Sequence, residues 1–228
     1  MLEKILYCLK FIGETIVYII YPPICPICRE IVDERGELCP ACASKVFHIN
    51  TGKNLPEILS GVMRITKYRG GTREILRKLK FNNNLSVLPA IKKMLDAVAD
   101  NAEIKNFLAG IDAATFVPLH ADRLKTRGYN QTELIFSDWL KAQNLPTGNF
   151  LVRQKSTAHL YSYNFAERQQ ILHDAFALAD GVDVSGKNIL IVDDIYTTGA
   201  TTAECARILK NAGAAKIFVM AFASDFGE

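Results

Sequence analysis

Ile189-Leu190-Ile191-Val192-Asp193-Asp194-Ile195-Tyr196-Thr197-Thr198-Gly199-Ala200-Thr201-Thr202 is the stretch on which the fold turns. Its first four residues are apolar, the pattern of a strand buried on both faces of a parallel sheet. Two carboxylates follow at the C-terminal end of that strand, where open α/β sheets bind their ligands. Thr197 to Thr201 then form a small, hydroxyl-rich turn with one glycine, leading into a helix. Such a turn offers backbone N–H groups and the positive end of a helix to one phosphate. Carboxylates repel phosphate, so Asp193 and Asp194 must serve another part of the ligand. A sugar with vicinal hydroxyls satisfies them, because a carboxylate accepts from both. The ligand implied is a ribose carrying a 5-phosphate. A Walker-type loop is excluded, since the chain has no G-x-x-x-x-G-K-[ST].

The flanking sequence extends the same pattern. A strand at 189–192, a helix at 201–211 and a strand at 216–223 follow in order, with Gly213 where a left-handed helix cap belongs. Upstream, 61–68 and 111–118 are expected strands. Residues 73–81 are expected to form a basic helix that ends at Asn82-Asn83-Asn84, and 85–99 has helical periodicity. Residues 121–143 are expected to be helical, with a break at Arg127-Gly128-Tyr129-Asn130. A short helix at 166–175 and an edge strand at 176–178 complete the reading. Strand–helix–strand alternation over the last half of the chain implies parallel strands joined by right-handed crossovers.

The 228 residues allow one α/β domain and a small appendage. An apolar fraction of 49% and a charged fraction of 22% describe an ordinary globular protein. Three parts are expected: an amphipathic helix at 1–22, a cysteine module at 23–50, and the α/β domain at 55–228, with 50–54 as a linker. Leu2, Ile5, Leu9, Ile12, Ile16 and Ile19/Ile20 recur at helical spacing. Glu3, Lys4, Lys10 and Glu14 interrupt that stretch, which argues against a spanning helix and a signal peptide. It either packs on its own domain or lies against a membrane surface or a partner. Six cysteines without a secretory signal suggest a reducing compartment, hence a cytoplasmic protein, membrane-associated if the first helix is interfacial.

Cys25-Pro-Ile-Cys28 and Cys39-Pro-Ala-Cys42 are two C-x-x-C knuckles separated by ten residues. In each, backbone N–H groups point at thiolate sulfurs, and two facing knuckles give the tetrahedral four-sulfur coordination that suits Zn²⁺. All four ligands are used, so the site is structural and leaves no position for activated water. Redox pairs are disfavoured, because no βαβ unit surrounds the knuckles. Cys8 and Cys205 read as ordinary helix or buried residues.

The net charge of +3 is too small to imply nucleic acid, but its distribution is uneven. Arg64, Lys67, Arg69, Arg73, Arg77, Lys78 and Lys80 face the single acid Glu74, a local net of +6. This run is either a surface for single-stranded DNA, with Tyr68 and Phe81 as stacking aromatics, or a solvated helix face.

The diacid–Thr-Thr-Gly-Ala-Thr run resembles the phosphoribosyl pyrophosphate (PRPP) motif of type I phosphoribosyltransferases. The ordered set is more specific: two cysteine knuckles, Lys80-Phe81, Val117-Pro118-Leu119-His120, Arg127-Gly128-Tyr129-Asn130-Gln131, Arg153-Gln154-Lys155-Ser156-Thr157 and the PRPP motif. It resembles the ComF family of competence proteins, its ComFC branch in particular, over nearly the whole chain. Leu160 and Ile171 depart from that family's pattern, where Gln and Asn are usual.

The resemblance implies a phosphoribosyltransferase-like α/β fold with an N-terminal zinc finger and a part in bacterial uptake of transforming DNA. Its implied partners are PRPP, single-stranded DNA, and proteins of the uptake machinery or the inner-membrane surface. Asp193 and Asp194 would hold the ribose hydroxyls, and the loop from Tyr196 through Thr197, Thr198, Gly199, Ala200 and Thr201 would hold the 5-phosphate. The loop at His120 and Arg127 would take the pyrophosphate, with Mg²⁺, and Lys80 would lie near the ligand. His120 is either a proton donor or polar surface. Arg127 to Gln131 either clamp phosphate or pack a helix, with Asn130 as its cap. Two functions share this pocket: a binding protein in DNA import, and a transferase acting from PRPP on a base or amine. No residue in the sequence selects an acceptor.

Overall fold

The computed structural model of the chain describes Leu6 and residues 15–52, 55–81, 83–155 and 165–225. The expectations for Leu2, Ile5, Cys8, Leu9, Ile12, Asn82, Ser156, Thr157 and Leu160 lie outside these residues.

A six-stranded sheet runs in the order β1 (Phe47–Thr51), β2 (Gly61–Lys67), β8 (Lys216–Ser224), β7 (Asn188–Tyr196), β3 (Ala113–Phe116), β4 (Thr147–Gly148). β1 is antiparallel to β2, and every other pairing in this sheet is parallel. β5 (Leu151–Arg153) and β6 (Phe176–Leu178) form a separate antiparallel ribbon. Its two strands bracket α7 (Phe165–Leu172).

The apolar run of β7 is buried as expected. Leu190 and Val192 enter one core, with Met63, Ile65, Met220 and Phe222. Ile189 and Ile191 enter the other, with Val62, Val219 and Ala221. α2 (Gly70–Phe81), α3 (Leu88–Asp96) and α6 (Gln131–Ala142) cover the first face, and α8 (Ala200–Asn211) covers the second. The Trp139 indole N–H donates to Leu95 O at 3.0 Å and ties α6 to α3. Gly213 is left-handed (φ 93°) just past α8, as the sequence requires.

The helical stretch 121–143 breaks where expected, into α5 (Ala121–Arg127) and α6, because Gly128 takes a left-handed φ of 81° and Asn130 caps the second. Three elements differ from expectation. β7 continues through both acids to Tyr196, because β8 runs equally far beside it and pairs as far as Ser224. α4 (Ala102–Leu108) was not evident from periodicity, since Ile104 is its one buried residue. Its start is set instead by Asn101, which accepts from Glu103 N and Ile104 N at 2.9 and 3.2 Å.

The third difference concerns the linker. Asn50 and Thr51 belong to β1 and pair with Arg64 and Met63. Phe47 and Ile49 alternate onto the first core, which draws the strand against the sheet edge. The cysteine module therefore passes directly into the sheet. It also docks on the helices. A Cβ on Gly71 would lie 2.5 Å from the Ile27 side chain, and one on Gly36 would lie 3.1 Å from Ala90 N. Lys93 Nζ meets Glu34 Oε2 at 2.5 Å.

Residues 15–20 are helical, and Ile16, Val17, Tyr18, Ile19, Ile20 and Tyr21 are all 49–73% exposed. The described part of this helix is thus not packed into the domain. Among the described residues no helix is long and apolar enough to cross a membrane.

Candidate functional site

The metal module is built locally. Cys25 N donates to Glu30 O at 2.7 Å and Arg29 N to Cys25 O at 2.9 Å, which folds the first knuckle. Cys39 caps α1 (Pro40–Val46), whose first turn forms the second. The four sulfurs of Cys25, Cys28, Cys39 and Cys42 lie within 4.8 Å of one another. A tetrahedral zinc with Zn–S of about 2.3 Å needs sulfurs about 3.8 Å apart, so the donor set fits. Burial raises the Cys25 thiol, but the backbone N–H groups of Cys28, Cys39 and Ile27 outweigh it and draw it down to about 7. Burial and the neighbouring sulfurs push Cys42 up. Thiolates this close repel one another, and a dication between them relieves that repulsion.

The second site is a cleft of about 470 Å³ at the C-terminal end of β7 and β3. Asp193, Asp194, Thr197 and Thr201 form its floor, and Lys80, Arg123, Arg127, Gln131 and Arg153 also line it. Asp194 is buried, with Lys80 Nζ at 3.4 Å and Gln131 Nε2 donating at 3.2 Å, both to Oδ2. Arg127 donates to Gln131 Oε1, so a chain of charge-assisted bonds runs from the pocket wall to the acid. Asp193 Oδ1 accepts from Asp194 N at 2.8 Å. Burial and the Asp194 carboxylate push Asp193 well above the usual carboxylate range. Burial also opposes ionisation of Asp194, but Lys80, Asp193 and Gln131 hold it below that range. One acid is thus a fixed anion braced by Lys80, and the other is the more basic group.

The turn after β7 is shaped by one glycine. Gly199 caps α8 with φ 79°, and a Cβ there would lie 2.3 Å from Tyr196 Oη. Thr198 Oγ1 accepts from Ala200 N at 3.4 Å, and Thr202 Oγ1 donates to Gly199 O at 3.0 Å. Tyr196 is 4% exposed and packs in the second core, with its hydroxyl end against Gly199, so its side chain supports the loop from within.

Among the expected residues, Asp193, Asp194, Thr197, Thr201, Lys80 and Arg127 meet in the cleft. His120 does not line it. Its Nδ1 accepts from Asp122 N at 3.3 Å and so caps α5. The stretch Arg127 to Gln131 divides between its two readings. The Tyr129 hydroxyl donates to Leu79 O at 2.8 Å, and Asn130 Nδ2 donates to Val117 O at 3.0 Å, both packing roles. Arg127 and Gln131 face the acids. Gln131 and Arg153 belong to motifs of the ordered set, and the structure brings both to the cleft together with Arg123. Arg153 comes from β5, lies 5.3 Å over the Phe176 ring, and has its charge opposed by burial and by Arg123.

The basic run is divided by the sheet. Arg64 shares a strand face with Val62, on the second core, and lies 5.7 Å over the Tyr196 ring. It is on the opposite face from α2 and is not part of the α2 surface, because side chains alternate along β2. Lys80 turns inward to Asp194. Arg69, Arg73 and Arg77 are exposed, Lys67 and Lys78 are half-buried, and Lys78 pairs with Glu74 at 2.8 Å. Arg73, Arg77, Lys78, Glu74, Gly70 and Phe81 line an open groove of about 430 Å³.

Comparison with known proteins places this geometry. The phosphoribosyl transferase domain family matches residues 152–225, and the double zinc ribbon domain family matches residues 16–53. The DNA utilization protein YhgH of Escherichia coli K12 is 30% identical over 203 residues, covering 86% of this chain and 88% of that one. The competence protein F of Haemophilus influenzae is 30% identical over 153 residues, covering 65% and 66% of the two chains. The chain belongs to the ComF family. A ribose-phosphate pyrophosphokinase of Pyrococcus abyssi is 40% identical over 86 residues, covering 36% of this chain and 30% of that one. The glutamine PRPP amidotransferase of B. subtilis overlays with a TM-score of 0.42 at 18% identity, covering 64% and 30%. In this chain the four-cysteine module and the phosphoribosyltransferase-like domain are thus parts of one polypeptide.

Proposed function

We propose that this ComF-family protein binds a phosphoribosyl ligand of the PRPP type in its cleft and single-stranded DNA on the outer face of α2, and so works in the handling of imported DNA. One observation carries the reading: α2 serves both surfaces. Its last turn sends Lys80 inward to Asp194, while Arg73 and Arg77 face outward. The loop from Thr197 to Thr201 suits a 5-phosphate, and Asp193 suits a ribose hydroxyl. Arg123, Arg127 and Arg153 supply the cations that a diphosphate needs. Mg²⁺ enters with the pyrophosphate, held chiefly by phosphate oxygens. Zinc holds the knuckles, and Ile27 of the first knuckle seats the module on α2. The names of the relatives, DNA utilization protein and competence protein, support the assignment to DNA. The exposed apolar run 16–21 gives the protein a surface for a membrane or an uptake partner.

The intact diacid also supports a transferase. Transfer from PRPP passes through an oxocarbenium-like ribosyl cation, which a carboxylate below the sugar stabilises. Titration calorimetry with PRPP and Mg²⁺ tests the shared first step. Asp193→Asn should weaken binding about tenfold to a hundredfold, the loss of one charge-assisted hydrogen bond. Equal affinities for the two proteins would remove the pocket from the reading, and release of pyrophosphate with a base or amine present would favour the transferase.

A further inference from the structure

The cleft and the α2 groove meet at one residue. Phe81, the last of α2, lines both, and its side chain is half exposed (50%). The other aromatic near the run, Tyr68, also lines the cleft but not the groove; it packs against the first core, with Arg73 6.0 Å over its ring. Arg73, Arg77 and Phe81 stand four residues apart in succession, so they form one stripe along the helix. Each step advances about 6 Å along the axis. The stripe presents two cations and then a flat apolar face, and it ends at the mouth of the cleft. Lys80, one residue earlier, points the other way, onto Asp194. The zinc knuckle adds to the same surface, since Arg29 acts on Glu74 beside the groove.

We propose that Phe81 is the stacking platform for one nucleobase of a single DNA strand whose phosphates run along Arg73 and Arg77, so that this base sits at the mouth of the phosphoribosyl cleft. This rests on the two-ligand reading above and adds to it. The cleft and the groove form one continuous site, and the base presented to the cleft belongs to a strand and is not a free base. A free base would be served by the cleft alone and has no use for cations two helical turns away. A strand uses both, because stacking needs no sequence and the phosphates need charge.

The test uses the full chain, a short oligothymidylate, and the variants Phe81→Ala, Phe81→Trp and Arg73→Glu/Arg77→Glu. Phe81→Ala should weaken oligonucleotide binding about fivefold to a hundredfold while keeping the salt slope, because it removes stacking and no charge. The double reversal should weaken binding and flatten the slope by about 0.7 per lost phosphate contact. Trp139 is only 4% exposed, so the emission of Phe81→Trp reports the new site. It should be quenched by the oligonucleotide and should change again when PRPP and Mg²⁺ are added. If the reversal weakens DNA binding and Phe81→Ala does not, the stacking platform is wrong and the two-ligand reading stands. If neither weakens it, the DNA reading itself fails. Quenching that ignores PRPP would detach the base from the cleft and overturn the junction, as would a loss of PRPP affinity with oligonucleotide affinity intact.

Discussion

The four-cysteine module and the diacid cleft both crowd groups that repel one another, but they stabilise that crowding by different means. In the module, four thiols are gathered by two short turns, and a dication would hold them together. In the cleft, Asp194 is buried beside Asp193 and is held by Lys80 from α2 and Gln131 from α6, the latter 63 residues away in sequence. The module depends on a metal and the cleft on sheet register. A slip of one residue between β7 and β8 would turn Asp194 to the wrong face. Removing the metal and cutting the ion pair should therefore fail in different ways.

Metal loss should have the largest effect. Structural zinc supplies on the order of 10 kcal/mol to such modules. We expect one zinc per chain, and we expect Cys28→Ser or strong chelation to unfold the knuckles and loosen Ile27 from α2. Metal analysis and thermal melts check this. A protein with substoichiometric zinc, free thiols and an unchanged melt would break the comparison at its first term.

Lys80→Ala should come next. Removing one partner of a buried pair costs about 3–5 kcal/mol. For a chain of this size that lowers Tm by roughly 6–20 °C. Adding Asp194→Asn should restore part of the loss, since the stranded charge is then gone. Strictly additive losses in the double mutant would show that the two groups are not coupled.

Charge reversal on α2 is expected to leave stability nearly untouched and to act on DNA. Arg73→Glu/Arg77→Glu should lower oligonucleotide affinity at low salt by about tenfold or more, each lost phosphate contact also reducing the salt slope by about 0.7. PRPP affinity should stay close to that of the wild type, because the groups proposed to hold that ligand lie in the cleft. A parallel loss of PRPP binding would mean that α2 itself has moved.

The smallest effect is a pH dependence. Burial and Asp194 raise the folded pKa of Asp193 above its unfolded value. Its contribution to stability is then full below the unfolded pKa and is lost as pH rises through the folded one. Asp193→Asn should melt a few degrees higher than wild type at pH 8, and the gap should shrink toward pH 5. A gap that does not change with pH would place the charge of Asp193 in water, contrary to its burial.

Much of this was legible along the chain. The metal ligands follow from spacing alone, because a knuckle is a local turn and needs no distant partner. The buried strand at 189–192, its diacid and the turn from Thr197 to Thr201 are likewise contiguous, so they are written in order along the chain. β1 was hidden because an edge strand needs only Phe47 and Ile49 facing inward, too short a pattern to separate from a loop. α4 was hidden because one buried residue makes no periodicity.

What the sequence by itself determined is where the four thiols, the diacid and the hydroxyl-rich turn stand along the chain. What only the tertiary structure decided is how the seven cations between Arg64 and Lys80 are shared out. Strand alternation sends Arg64 to the far face of the sheet, against Tyr196. Helical rotation sends Lys80 inward to Asp194 and leaves Arg73 and Arg77 outside. Chain placement does the rest: His120 is committed to capping α5, and Gln131 of α6 and Arg153 of β5 are brought to the cleft. The physical reason is that charge along a chain is one-dimensional, whereas a strand with a two-residue repeat and a helix with a 3.6-residue repeat distribute it over different faces.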